Sequence, residues 1–400
     1  MMSLAIQTRA RIAPAADSWL LISAASLLAL GLVMVASASV AIAERDMGQP
    51  LYYALRHGAF VGAGLMVALV MTRVPLRILH GLRWPALGLS YLGLIAVLVP
   101  GLGVEVNGAH RWLNLGMFNL QVSEFAKLGF IIYFAGYLVR HGERLRAGFR
   151  QVLKPFLLAG VGCALLLLEP DFGAAVLLGA IVTGMVFLAG ARLWHLLGLA
   201  LVVLPVVTAA LVAMPYRVAR LLAFRDPWAD PFDGGFQLTQ ALIAIGRGEW
   251  LGVGLGGSVQ KLFYLPEAYS DFLFAILAEE LGLAGVVLVI ALFAALTGRA
   301  FVLGGRALAA GHAFSAWLCY GIGLWFGLQA VVNMGVNMGL LPTKGLTLPL
   351  VSHGGSSMLA CCLAVGILLR VGIELATPAR RRNQRETLHE TGRETGEAGE

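Results

Sequence analysis

The stretch "FYLPEAYSDFLFAILAEELG", Phe263 to Gly282, carries four carboxylates, Glu267, Asp271, Glu279 and Glu280, around a run of apolar residues. Carboxylates in such surroundings can take a proton from a reacting hydroxyl, hold a cation, or pair with basic groups on neighbouring helices. Three further stretches bring polar groups to the ends of apolar runs. "NGAHRWLNLGMFNLQVSEFAKLGF" carries Arg111 and then sets Glu124 and Lys127 three residues apart, on one helical face. "EPDFG", Glu169 to Gly173, is a tight turn in which Asp171 either caps the next helix or faces a ligand. "NMGVNMGLLPTKGLTLPLVSHGGSS" places Asn333 and Asn337 on one helical face, then Lys344, Ser352 and a Gly-Gly-Ser-Ser opening with Ser356. Backbone N–H groups at a glycine-loosened helix start can bind an anion such as phosphate. Each stretch also has a plain structural reading: an ion pair between helices, a helix cap from Asp171 or from Ser270 with Asp271 in the first turn, glycines that pack helices.

The elements that must position these groups are helices in a membrane. Hydrophobic residues are 59% of 400 positions and Asp, Glu, Lys and Arg only 13%, with a mean hydropathy of +0.82; an ordinary soluble domain has about 45–50% and about 25%. Ten apolar runs are long enough or nearly long enough to cross a bilayer as helix, near 19–43, 53–72, 84–100, 119–139, 154–169, 173–190, 195–215, 271–297, 313–333 and 353–375. A barrel would instead need shorter strands of alternating polarity. The expected fold class is therefore an all-α polytopic membrane protein of about ten transmembrane helices, with one large external loop at 216–270. Lys and Arg of the short loops fall mainly on one side, from Arg73 to Arg83, Arg140 to Lys154, Arg192, and Arg299 with Arg306, against Arg45, Arg111 and Lys344 on the other. That asymmetry puts both termini in the cytoplasm and the polar clusters outside. It also accounts for the net charge of +7 as topology, with no nucleic-acid partner.

Residues 1–18 read as a cytoplasmic N-terminal tail, 19–375 as one membrane domain whose first helix is an uncleaved signal anchor, and 376–400 as a disordered cytoplasmic tail. The 216–270 loop is rich in Trp, Phe, Pro and Gly, a composition of ordered, functional loops. Cys163, Cys319, Cys361 and Cys362 lie in expected helices without metal spacing and read as small apolar packers. "GVGLGG", Gly252 to Gly257, matches GxGxxG, yet no strand precedes it, so a nucleotide site is not expected. With the polar groups outside, away from cytoplasmic nucleotides, any chemistry there needs a substrate that carries its own activation.

In order along the chain, "GAHRWLNLG", "QVSEFAKL", "EPDFG", "FRDPWADPFDGGFQLTQALIAIGRGEWLGVGLG", "QKLFYLPEAYSD" and "NMGVNMGLLPTKGLTLPLVSHGGSS" resemble the SEDS family of FtsW/RodA peptidoglycan glycosyltransferases, with the cell-division branch the nearer. Val122 stands where that family commonly has Pro, and His353 where it commonly has Tyr. The resemblance implies a SEDS fold in the bacterial inner membrane at the septum, with the active site facing the periplasm. It implies polymerisation of lipid II by inverting transfer, with release of undecaprenyl diphosphate from the growing undecaprenyl-diphosphate-linked glycan. Asp271 matches the family's proposed catalytic aspartate, the base for the acceptor hydroxyl. Glu267 would shape the acceptor site, and Arg111, Lys127 and Lys344 would hold the diphosphate. Glu279 and Glu280 would pair with neighbouring helices. A divalent cation, Mg or Mn, could share the load with Glu124 or Asp171. Expected partners are a class B penicillin-binding protein transpeptidase and other divisome proteins, to which glycine pairs Gly58/Gly62 and Gly323/Gly327 could contribute packing. Two alternatives use the same charges differently: a lipid II flippase, or a non-catalytic scaffold that recruits the transpeptidase.

Overall fold

The computed structural model describes residues 17–106, 109–114, 116, 119–146, 148–212, 224–231, 234–342 and 345–397. Twelve helices are traced in these residues: α1 Ser18–Met47, α2 Tyr52–Met71, α3 Leu76–Gly81, α4 Arg83–Leu98, α5 Val122–His141, α6 Phe149–Leu168, α7 Phe172–Leu188, α8 Leu193–Val212, α9 Phe236–Gly248, α10 Leu273–Ala309, α11 Ala313–Asn337 and α12 Gly355–Glu397. Seven are long and apolar enough to cross a membrane, and the shorter apolar helices Arg83–Leu98, Phe172–Leu188 and Leu193–Ala209 occupy the remaining expected runs. The ten-helix all-α bundle is thus what forms. α5, α11 and the apolar part of α12 are the most enclosed, while α2 and α6 turn most of their surface outward. That arrangement fits their sequences, because the enclosed helices are the ones that carry Glu124, Lys127, Gln329, Asn333 and Asn337 inward.

Four features depart from the expectation. Strands β1 Gly103–Val106, β2 Ala109–Asn114 and β3 Asn119–Gln121 form an antiparallel sheet in the order β1-β2-β3, with Trp112 opposite Gln121 and Asn114 opposite Asn119. Strands this short give too few alternations to stand out in a sequence. Within the 216–270 loop, α9 forms a regular helix. α12 continues to Glu397, through residues expected to be a structureless tail; Arg, Gln and Glu are good helix formers and sustain the helix. Finally, α10 starts at Leu273 with Phe272 at its N-cap and no side-chain cap, so Ser270 does not cap it; its hydroxyl donates to Glu267 Oε2 at 2.6 Å.

α10 is broken at Gly282, whose φ of 65° and ψ of −163° are not helical. An unbroken helix would bond Leu283 N to Glu279 O and Ala284 N to Glu280 O. Both bonds are replaced by the loop after α9. Val253 N and Gly254 N donate to Glu279 O and Glu280 O at 2.9 and 3.1 Å, while Leu283 N and Ala284 N donate to Glu249 O and Trp250 O at 2.9 and 3.1 Å. Close backbone approach demands glycine: a Cβ on Gly248 would overlap Ala278 O, and one on Gly252 would overlap Glu280 O. This accounts for Gly252, the first glycine of "GVGLGG"; Gly254 and Gly256 instead carry positive φ of 93° and 82° in open space. Side chains reinforce the seam, with Glu279 accepting from Arg247 Nη1 (2.9 Å) and Ser258 Oγ (2.5 Å), and Glu280 from Lys261 Nζ (2.7 Å) and Ser37 Oγ of α1 (2.7 Å). The pairing expected of these two acids is therefore present, with the loop supplying most of the partners.

Gly252 has a φ of 78° and no room for a Cβ, whereas Gly256 has a φ of 82° and open space around it. Gly252→Ala is expected to lower the thermal midpoint in detergent by the equivalent of about 1–3 kcal/mol or more, the cost of a strained non-glycine backbone plus the overlap. Gly256→Ala should cost clearly less. Equal effects would show that the seam with α10 is not what Gly252 serves.

Candidate active site

Asp271 lies two residues before α10 and is held through its main chain. Its carbonyl accepts from Asn333 Nδ2 at 2.9 Å and from Asn337 Nδ2 at 3.1 Å, two amides one turn apart on α11. The same Asn337 accepts from Ala275 N at 3.2 Å, doing from a neighbouring helix what an N-cap side chain would do from within. Asn333 Nδ2 also donates to Leu346 O at 2.6 Å. One turn further along α11, Gln329 Nε2 donates to Thr347 O at 2.9 Å. Gln329, Asn333 and Asn337 thus make one polar stripe that grips both the segment before α10 and the segment before α12. Gly345 lies against the Asp271 carboxylate: a Cβ there would sit 3.2 Å from Oδ2. His353 N donates to Tyr269 O at 3.1 Å and closes the two segments together.

Lys127 is buried at the other end of this stripe. Its ammonium donates to Glu124 Oε1 and to Gln329 Oε1, each at 2.8 Å, and sits 5.1 Å from the centre of the Trp325 ring. Trp325 Nε1 donates to the same Gln329 oxygen at 2.6 Å. A buried ammonium requires such partners. Glu124 Oε2 has no hydrogen-bond partner among the described residues. The chain Glu124–Lys127–Gln329–Thr347 runs to the loop that borders Asp271, so the ion pair predicted at i, i+3 exists and is wired to the site.

Arg111, on β2, donates from Nη2 to Pro170 O at 2.6 Å and approaches Glu169 O at 3.4 Å. Asp171 Oδ1 accepts from Ala174 N at 3.0 Å and caps α7. Leu346 packs against Gly173, which brings the EPDFG turn to the same loop. Ser352 Oγ accepts from Leu348 N at 3.0 Å, and Ser356 Oγ accepts from Gln121 N at 2.8 Å, tying α12 to β3. Those hydroxyls fix loops rather than stand open to an anion. Glu267 holds Ser270 within its own turn. Lys344 lies outside the described residues. Among the described residues no three His, Cys, Asp or Glu side chains converge to hold a metal ion. A divalent cation at Glu124 or Asp171 would therefore take most of its ligands from a diphosphate and water.

Three groups were not foreseen. Gln329 is the third member of the amide stripe, and its place four residues before Asn333 was the available signal. Glu169 is fully buried, and neither carboxylate oxygen has a partner among the described residues. Burial, with Asp171 beside it, pushes its carboxyl up to about 8 against the opposing pull of Arg111. His353, with its ring 5.5 Å from those of His57 and Tyr269, is pushed down to about 4 by burial and by the nearby His57 and Arg56. An imidazole thus fills the place where the family commonly has a tyrosine ring.

A bundle of this kind, with a stripe of buried polar groups along its enclosed helices, is that of a multi-pass membrane protein. Residues 18–376 match the FtsW/RodA/SpoVE family, described as "Cell cycle protein". The chain is 57% identical over 365 residues, 91% of each chain, to a protein named probable peptidoglycan glycosyltransferase FtsW from Thioalkalivibrio sulfidiphilus. It is 49% identical over 369 residues, 92% of this chain and 99% of the relative, to one of the same name from Coxiella burnetii. Among solved structures it is similar to a chain of a peptidoglycan synthase complex that coordinates polymerization and crosslinking, with a TM-score of 0.75 and 33% identity over 90% of this chain and 98% of that one. Thermus thermophilus RodA superposes with a TM-score of 0.63 at 31% identity, over 90% and 97%. The chain belongs to the FtsW/RodA/SpoVE family.

The Glu169 carboxyl yields a pH prediction. A folded-state value near 8, against 4.5 for the exposed group, means that between these values the unfolded chain releases a proton that the folded chain keeps. Stability falls as pH rises through that window and is unaffected below it. Glu169→Gln should therefore raise the thermal midpoint at pH 8 relative to the parent and leave it unchanged near pH 4. A midpoint difference that does not vary with pH would show that Glu169 is ionised in the folded protein.

Proposed function

We infer that this chain is a peptidoglycan glycosyltransferase that polymerises lipid II for septal wall synthesis. The observation that carries this reading is the seat of Asp271: a carboxylate beside Gly345, on a main chain fixed by Asn333 and Asn337, at the outer end of the bundle and one loop away from Lys127. The names carried by its relatives support the same class of reaction.

In this reading the 4-hydroxyl of an acceptor GlcNAc attacks the anomeric carbon of the MurNAc that ends the growing chain. The new C–O bond forms as the bond from C1 to the diphosphate oxygen breaks. The electron pair leaves with undecaprenyl diphosphate, and the hydroxyl proton passes to the Asp271 carboxylate. General-base help of this kind is worth about 10² to 10⁴ in rate. Lys127, and Arg111 through the donors it does not spend on the Glu169 and Pro170 carbonyls, supply positive charge where the departing diphosphate gains negative charge. Lys344 would join them. Glu267 borders the acceptor side. Inversion needs one base, so the five-ångström carboxylate pair of a retaining enzyme has no role here.

The setting follows from the same reading: a bacterial inner membrane, both termini in the cytoplasm, the site in the periplasm at the septum, and a class B penicillin-binding protein alongside to crosslink the product. Mg or Mn at the diphosphate would add to the positive charge. Residues 1–18, 19–375 and 376–400 serve as tail, catalytic membrane domain and cytoplasmic extension.

The test is polymerisation of labelled lipid II by purified protein with its transpeptidase partner in vesicles. Asp271→Asn should insert and fold normally and lose at least about a hundredfold of the glycan product. Full activity would remove Asp271 from the mechanism. Headgroup translocation without glycan product, unchanged in Asp271→Asn, would favour a flippase, and tolerance of Lys127→Met as well would favour a scaffold.

A further inference from the structure

The loop that repairs α10 leaves a cluster of large apolar side chains uncovered. Trp250 is 75% exposed, Leu251 82% and Leu255 62%. Two observations fix the height of this cluster along the bundle. At the basic end, Arg299 of α10 pairs with Asp17 at the start of α1 at 2.6 Å. At the other end, Glu280 of α10 accepts from Ser37 of α1 at 2.7 Å. The twenty residues of α1 between those contacts rise about 30 Å, the thickness of the hydrocarbon of a bilayer. Glu280 and Gly282 therefore lie at the outer hydrocarbon edge. Main-chain bonds from Glu249, Trp250, Val253 and Gly254 to residues 279–284 set the loop at that same level.

We propose that Trp250, Leu251 and Leu255 anchor this loop in the outer leaflet, at the boundary between headgroups and acyl chains, so that residues 249–255 fold back onto the membrane instead of standing in water. Tryptophan is the side chain enriched at that boundary, with an apolar body and a polar N–H. The neighbours fit this depth and no greater one. Arg247 remains 44% exposed while bound to Glu279, and Glu249 is exposed, which headgroups accommodate and hydrocarbon does not. Leu283, Val287 and Leu288 continue the exposed apolar surface down α10 into the bilayer. The anchor also sets the height of Asp271. The nine residues of α10 above Gly282 rise about 13 Å beyond the hydrocarbon edge. On the reading of the site given above, that is where a sugar extends when its lipid tail lies in the leaflet and its diphosphate among the headgroups.

The experiment measures depth directly and does not depend on activity. Nitroxide labels are placed on Leu251→Cys, on Leu288→Cys in the span and on Ala229→Cys in the outer loop, in the full chain reconstituted in phosphatidylethanolamine–phosphatidylglycerol vesicles. Unsubstituted protein reports any label taken up by the four native cysteines. Accessibility is read with oxygen, which favours lipid, and with a water-soluble nickel chelate. Leu251 should give an oxygen-to-nickel ratio several-fold above that of Ala229 and below that of Leu288. A ratio equal to that of Ala229 would overturn the anchor, because the loop then stands in water. Exclusion of both reagents would overturn it too, because a protein surface then covers the cluster. Loss of polymerisation in Asp271→Asn leaves either result unchanged, so the anchor and the catalytic reading fail separately.

Discussion

Hydrocarbon offers no hydrogen-bond partner, so a helix that breaks near it must have its freed main-chain groups met by protein. α10 breaks at Gly282 and loses two helical bonds; the loop from Glu249 to Gly254 returns four, one partner for each end of each lost bond. That repair dictates much else. It requires glycine at 248 and 252, where the two backbones meet. It draws Glu279 and Glu280 into closed pairs with Arg247, Ser258, Lys261 and Ser37. It also detaches the outer turns of α10 from the part that crosses the membrane, so the turns that lead to Asp271 are oriented by α11 and by the loop.

The amide stripe on α11 performs that orientation. Gln329, Asn333 and Asn337 are buried, and each donates to a carbonyl of a segment that is not helical: Thr347, Leu346 or Asp271. Irregular main chain inside a bundle is costly unless such groups are met, and a helix that offers three amides at four-residue spacing meets them in a row. Gln329 Oε1 accepts from both Lys127 and Trp325. The ammonium that would face a diphosphate and the carboxylate that would take a proton are therefore held by one rigid element. Removing the Glu124 partner would leave Lys127 an uncompensated buried charge, the most expensive outcome for a pair of this kind.

How much of this was readable beforehand depended on the length scale of the signal. Each of the ten spans is a run of about twenty apolar residues, and no local detail could hide it. Glu124 with Lys127, and Asn333 with Asn337, followed from helical spacing alone. Gln329 followed the same spacing but lay within the apolar helix, one turn before the pair that attracted notice. The sheet of residues 103–121 was illegible because three- to six-residue strands leave no period to detect. Ser270 looked like a cap because Ser precedes Asp and an apolar run; the capping acceptor instead comes from Asn337, sixty-two residues away, which no local pattern encodes. Gly252 stood in a run of glycines, and its purpose, close approach to a broken helix, needed the partner backbone to be seen.

The four acids of the opening stretch can be sorted by where their partners come from. Glu279 and Glu280 sit past the first turns of α10 with every oxygen directed at the seam, and their role ends in the fold. Glu267 is turned onto Ser270 within its own loop. Asp271 differs in that its carbonyl, not its carboxylate, carries the bonds from Asn333 and Asn337, while Asn337 satisfies the helix end that a nearby aspartate would ordinarily serve. An anchor in the main chain persists whatever the side chain is, so Asn333 and Asn337 would hold position 271 equally in Asp271→Asn. In the proposed reaction a base must be placed to a fraction of an ångström and still change its own bonding, and a main-chain anchor supplies the first without being broken by the second.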